Sequence, residues 1–92
     1  MKRSSRSAAQ PGPKTKEKFY LTYPPRLLTE PLIYKVGHQF KVVTNIRGAS
    51  ISNDLGLVAV EIEGTRAEID RAIDWLRTQG VQVEPIEKNV IE

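Results

Sequence analysis

The chain has 92 residues, 39% of them hydrophobic and 27% charged, and a formal net charge of +3. That length allows one small domain with a modest core, and no apolar run approaches the roughly 20 residues a membrane-spanning helix needs. Cysteine is absent, which excludes disulfides, thiolate metal sites and a cysteine nucleophile together.

The charge is concentrated at one end. Lys2, Arg3, Arg6, Lys14, Lys16 and Lys18 against Glu17 give residues 1–18 a net +5, leaving −2 for the remainder. "MKRSSRSAAQPGPKTKEK" has no large apolar residue after Met1, so ordering it would not be offset by burial, and residues 1–17 are expected to be a disordered basic tail. Two uses fit: an arm that contacts an acidic protein, nucleic acid or an anionic membrane, or a solubilising extension. The tail lacks the apolar segment of roughly 7–15 residues that a secretory signal needs, so a soluble cytoplasmic protein is expected. The folded domain is expected over residues 18–88, with a short C-terminal tail at 89–92.

The first element is "KFYLTY", residues 18–23, an alternating strand stopped by Pro24-Pro25. In "LLTEPLIYKVGHQF", Leu32, Ile33, Val36 and Phe40 fall at helical spacing, Thr29 is placed to cap the helix, and its first turn tolerates Pro31. Gly37 weakens this helix by up to about 1 kcal/mol relative to Ala, so it should be short. His38 near its end has no Cys, Asp or Glu at ligand spacing, and reads as an ordinary helix-end histidine. No metal or cofactor is implied.

"KVVTNIRGASI" is β-rich, "SNDLG" supplies turn residues, and "LVAVEIE" alternates. The alternation puts Val58, Val60 and Ile62 on the core face, with Leu57, Ala59, Glu61 and Glu63 opposite. Thr65 and Glu68 have the spacing of a capping box, and Ile69, Ala72, Ile73 and Leu76 make the buried stripe of the helix they open. Arg66 with Asp70, and Asp74 with Arg77, are placed to pair on its wet side. Gly80 ends it. In the last strand, "VQVEPI", Pro85 cannot donate to a ladder and belongs at an edge. The order β-α-β-β-α-β predicts an α+β, ferredoxin-like sandwich: a four-stranded antiparallel sheet with both helices on one face and the other face open. Tyr20, Leu57 and Ala59 would lie on that open face, where a partner or ligand could bind.

The residues show no phosphate loop, no Ser/His/Asp arrangement and no carboxylate pair with a reason to shift in pKa. Glu61 and Glu63 read as a solvated face. An RNA-recognition sheet would need aromatics on its third strand, which has none. The protein is therefore expected not to be an enzyme.

From about Phe19 to Ile86 the chain resembles the NIL domain, an ACT-like module found at the C-terminus of ATPase subunits of methionine ABC importers and also in stand-alone proteins. The resemblance rests on "EPLIYKVGHQFKVVTNIRGASI", on Gly56 opening the third strand, and on "GTRAEIDRAIDWLRTQGVQVEPI". The Asn-Ile-Leu signature that names the family appears as Asn45-Ile46-Arg47. The resemblance implies a regulatory domain that forms a homodimer and binds an amino acid, methionine or a related sulfur metabolite, with Asn45, Ile46 and Arg47 as the ligand-binding signature. A carboxamide offers two donors and an acceptor, which suits the ammonium and carboxylate of a free amino acid. Taken alone, Asn45 fits equally a residue that starts a turn or caps a backbone group. Arg47 departs from the signature, either as a cation beside a ligand carboxylate or as a solvent-facing residue. These residues include no ATPase domain, so any ligand effect is expected to reach a partner protein in trans. The alternative is a ligand-free interaction adaptor that docks through its basic tail.

Overall fold

A computed structural model of the chain describes residues 12–52 and 55–86. Two long strands, β1 (Lys14–Tyr23) and β3 (Leu55–Thr65), lie antiparallel at the centre of a four-stranded sheet. Outside β3 lies β2 (Val43–Ser52), and outside β1 the short β4 (Gln82–Pro85), giving the order β2-β3-β1-β4. Helices α1 (Leu32–Gln39) and α2 (Arg66–Gln79) complete the ferredoxin-like β-α-β-β-α-β sandwich. Pro85 sits in the outermost strand, where its missing N–H interrupts least.

The pleat sorts the side chains. Phe19, Leu21 and Tyr23 of β1 stand level with Val60, Val58 and Gly56 of β3, and with Ile62 and Val83 they form the sheet half of the core. The α2 stripe Ile69, Ala72, Ile73 and Leu76 supplies the other half and is buried throughout. At Gly56 the sheet meets the residue after the 3-10 turn: a Cβ there would lie 2.6 Å from a methyl carbon of Leu28, whose side chain would have to move.

Both helix ends of α2 are built from local sequence. The Glu68 N–H donates to Thr65 Oγ1 at 3.2 Å, satisfying one of the first-turn donors. Gly80 takes the left-handed conformation at φ 107°, and the Val81 N–H donates to the Leu76 carbonyl at 3.1 Å. The capping box is only half closed, because the Glu68 carboxylate accepts from the Lys41 N–H at 3.1 Å, anchoring the loop before β2.

Four expectations change. The first strand begins at Lys14, not Lys18, because β3 runs on to Thr65 and offers partners as far as Lys14. Residues 14–17 therefore belong to the sheet, while residues 1–11 of the expected tail and residues 87–92, which hold the expected C-terminal tail, lie outside the described residues. Thr29 does not cap α1: the helix starts after Pro31 with no side-chain cap, since a 3-10 turn over Pro25–Leu27 carries the chain in. Arg66 reaches across to Glu17 of β1 at 2.9 Å instead of pairing with Asp70. Arg77 donates to the Val83 carbonyl at 3.1 Å instead of meeting Asp74. As Gly37 predicts, α1 is short, at eight residues, and His38 at its end stacks on Tyr34 with ring centroids 5.6 Å apart.

Two outcomes follow for stability. Deleting residues 1–11 should leave the melting temperature within about 2 °C of the full chain, whereas deleting 1–17 removes ladder bonds and the Glu17 pair. At about 1 kcal/mol per net backbone bond and less for the half-exposed ion pair, the second deletion should cost roughly 1–3 kcal/mol, or about 5–20 °C. Equal melting of both truncations would contradict the strand's extension to Lys14. Separately, burial pushes the Tyr23 hydroxyl above its ordinary value of 10.0. The unfolded chain then loses this proton first, so stability is intact below about pH 10 and falls as the pH rises through the folded value. Urea midpoints should drop between about pH 8 and pH 10.5 by more in the wild type than in Tyr23→Phe.

Candidate functional site

The side of the sheet away from the helices is where the strand-two residues converge. Across β3, Asn45 stands directly opposite Glu61 and Ile46 opposite Val60. The register then slips by one residue, because Gly48 pairs with Ala59 and leaves Arg47 as the extra residue of a β-bulge. Val60 is a core residue, so Ile46 is on the helix side of the sheet, with 54% of its surface exposed. Asn45 and Glu61 are on the open side. The bulge turns Arg47 to the same side, where its Nη1 donates to Glu61 Oε1 at 3.3 Å.

Asn45, Arg47 and Glu61 thus stand together, and Ile46 is separated from them by the thickness of the sheet. Lys16 and Glu63 are opposite one another in the next row, and with Asn45 and Glu61 they line a shallow concavity of about 220 Å³. That is smaller than the roughly 300–1,000 Å³ of pockets for drug-sized molecules. The Glu61 side chain is 17% exposed against 50% for Arg47, so the carboxylate is the less hydrated of the pair. An amide, a guanidinium and a carboxylate side by side offer donors and acceptors of both charge signs.

Sequence reasoning passed over Glu61, Glu63 and Lys16. The two glutamates read as a solvated face, and Lys16 was assigned to the tail. The signal for Lys16 was present: Lys14, Lys16 and Lys18 continue backwards the period-two alternation of Tyr20 and Thr22.

Besides a concavity of about 400 Å³ at the end of the sheet between Lys14, Phe40, Lys41 and Glu63, two lie on the helix side. One of about 410 Å³ runs along α2 between Glu17, Arg66, Asp74 and Pro85; its Arg66 is already engaged by Glu17. The other, of about 220 Å³, is an apolar groove between α1 and the far end of β2, lined by Leu28, Ile33, Tyr34 and Ile51. Among the described residues, no cluster of three His, Asp or Glu side chains could hold a metal ion, and no helix is long and apolar enough to cross a membrane.

The element order, the sheet order and the one bare sheet face define a domain of the ferredoxin-like α+β class. Within that class, the chain matches the NIL domain family over residues 19–85 and belongs to it. It is similar to the methionine import ATP-binding protein MetN of Geobacillus kaustophilus, with 40% identity over 70 residues, 72% of this chain and 20% of that protein. The Helicobacter pylori protein of the same name is 35% identical over 63 residues, 64% of this chain and 19% of its own length. The chain thus spans about one fifth of the length of these relatives. Among solved structures, the C-terminal domain of an ABC transporter ATP-binding protein from Enterococcus faecalis superposes with a TM-score of 0.69 at 21% identity, over 79% of this chain and 86% of that one. The designed protein Foldit4 superposes at 0.52 with 13% identity, covering 84% of this chain and 100% of that one. These two likenesses concern the fold.

Because the Arg47–Glu61 pair is half in solvent, it should add little to stability. Arg47→Leu should change the unfolding free energy by no more than about 1 kcal/mol in urea titrations. A loss of several kcal/mol would mean that the pair holds the bulge in place and is structural.

Proposed function

We propose that this domain is a non-enzymatic sensing module that binds a free amino acid on its open sheet face and passes occupancy to a partner protein in trans, acting as a homodimer in the cytoplasm. The observation that carries this reading is the placement of Asn45 opposite Glu61, with the Arg47 guanidinium 3.3 Å from the same carboxylate. A zwitterion needs an anion for its ammonium and a cation for its carboxylate a few ångströms apart. Glu61 and Arg47 supply them, and the Asn45 amide can donate to one group and accept from the other. Ile46 lies on the opposite side of the strand, 54% exposed, and takes no direct part in this site. Both relatives are methionine import ATP-binding proteins, which makes methionine the first ligand to test.

A second reading has its own observation. Tyr34 and Ile51 are each 68% exposed beside the apolar groove between α1 and β2, which suits an interaction adaptor that binds no ligand. In that case the basic N-terminal residues would strengthen docking to an acidic protein, nucleic acid or an anionic membrane, and the complex would weaken steeply with salt.

Thermal-shift screening of the free amino acids separates the two. A ligand at 100 times its dissociation constant adds about 2.7 kcal/mol, a shift of roughly 10–20 °C for a domain of this size. Asn45→Ala should keep the fold and lower ligand affinity about tenfold or more by isothermal titration, since a hydrogen bond to a charged group is worth roughly 1.5–3 kcal/mol. Unchanged affinity in that variant would show Asn45 to be a backbone-supporting residue, and no shift with any amino acid would favour the adaptor.

A further inference from the structure

The central strand β1 is enclosed on one flank only. β3 pairs with it along its whole length, from Lys14 to Tyr23. On the other flank β4 covers Phe19 to Thr22, and the Ile86 N–H donates to the Lys18 carbonyl at 2.9 Å. Backbone groups alternate sides along a strand, so Lys14 and Lys16 direct their N–H and C=O groups the same way as Lys18, away from β3. Among the described residues, no strand pairs with them there. An open edge of about five residues, roughly 17 Å long, therefore lies beyond the end of β4.

The concavity of about 410 Å³ along α2 lies over this edge. Glu17 and Pro85 border it from the sheet, and Asp70 and Asp74, one turn apart, border it from α2. Both of its arginines are engaged within the domain, Arg66 by Glu17 at 2.9 Å and Arg77 by the Val83 carbonyl at 3.1 Å. Asp70 and Asp74 are exposed and form no ion pair among the described residues. A row of backbone donors and acceptors thus runs beside two uncompensated carboxylates.

We propose that this edge takes an extended segment of a partner protein as a fifth strand, antiparallel to β1, with arginine or lysine at alternate positions directed at Asp70 and Asp74. Main-chain bonds to Lys14 and Lys16 hold the segment, and the two carboxylates select the charge of the side chains over the groove. Docking here is independent of any ligand on the open face. Segments of this chain fit the edge less well. Continuation of β4 through residues 87–92 would set Glu87 level with Glu17 and Lys88 level with Lys16, like charges directly opposite. The same edge of a second copy, centred on Lys16, would set Lys16 against Lys16 and Lys14 against Lys18. Residues 1–11 carry three cations but would have to turn back through Pro11-Gly12-Pro13. Gly12 has φ 86°, the sign a type II turn requires after proline, and turns of that type splay the strands of a hairpin. A basic segment from another chain meets none of these obstacles.

Three capped seven-residue peptides test the docking on the isotope-labelled full chain, with amide shifts as the readout. In the first, threonine and arginine alternate with threonine at both ends, so the three arginines share one face. The second has the same composition with its arginines consecutive, and the third has glutamate in place of arginine. The alternating peptide should give saturable shifts at Lys14, Lys16, Asp70 and Asp74 and bind at least about tenfold more tightly than either other peptide. N-methylation of its two inner threonines, whose N–H groups face β1, should abolish binding, whereas N-methylation of two arginines, whose N–H groups face away, should not. The variant Asp70→Lys/Asp74→Lys, with its fold confirmed by circular dichroism, should lose at least about tenfold in affinity and favour the glutamate peptide. Equal binding of the alternating and consecutive peptides, or indifference to N-methylation of the threonines, would overturn strand addition. The absence of shifts at up to about 2 mM alternating peptide would overturn it as well. Deleting residues 1–11 should leave the affinity unchanged; a rise of about tenfold or more would show the chain's own segment to be the occupant and overturn the partner.

Discussion

The ladder between β1 and β3 is the constraint on which the rest depends. Ten consecutive residue pairs, from Lys14 with Thr65 to Tyr23 with Gly56, fix the parity of both strands at once. Because side chains alternate, a single register commits Phe19, Leu21, Val60 and Ile62 to the helices and leaves Lys16, Lys18, Glu61 and Glu63 on the other side. A slip of one residue would put either the two lysines or the two glutamates under α2, an arrangement that burial of unneutralised charge forbids. The hydrophobic stripe of α2 and the charged face of the sheet are two consequences of the same pairing.

The bulge at Arg47 does for β2 what the ladder does for the centre. Counting back by twos from Ile51, level with Gly56, through Ala49 would put residue 45 on the helix side of the sheet. The extra residue reverses that count, so Asn45 joins Glu61 on the open side. The bulge therefore has two effects: it assembles the amide, guanidinium and carboxylate, and it blunts the outer strand against continuation of the sheet.

The same two features explain what could be read from the amino-acid order. The pattern of α2 was legible because cap, stripe and terminal glycine all act within a few residues, and β3 was legible from its alternation. Three things depended on distant partners. Lys14 to Glu17 look unsuited to a strand, since lysine and glutamate have low strand preference, and only the length of β3 recruits them. Glu68 has capping-box spacing, but its carboxylate serves the Lys41 N–H, 27 residues back. Arg66 could have paired within its helix, yet Glu17 is closer once β1 extends. Of the proposed site, Asn45 was marked out by the family signature. Glu61 was legible as an open-face residue but not as the neighbour of Asn45, because a bulge leaves no periodic trace, and Lys16 was legible only by continuing the alternation of β1 backwards.

The central claim is that the bulge gathers Asn45, Arg47 and Glu61 into a ligand site on the bare face of the sheet. Its most direct test is amide chemical-shift mapping of the labelled domain during titration with methionine and the other amino acids. The account predicts saturable shifts at Lys16, Asn45, Arg47, Glu61 and Glu63. Shifts confined to Tyr34, Ile51 and the groove beside α1, with the open face unmoved, would contradict it.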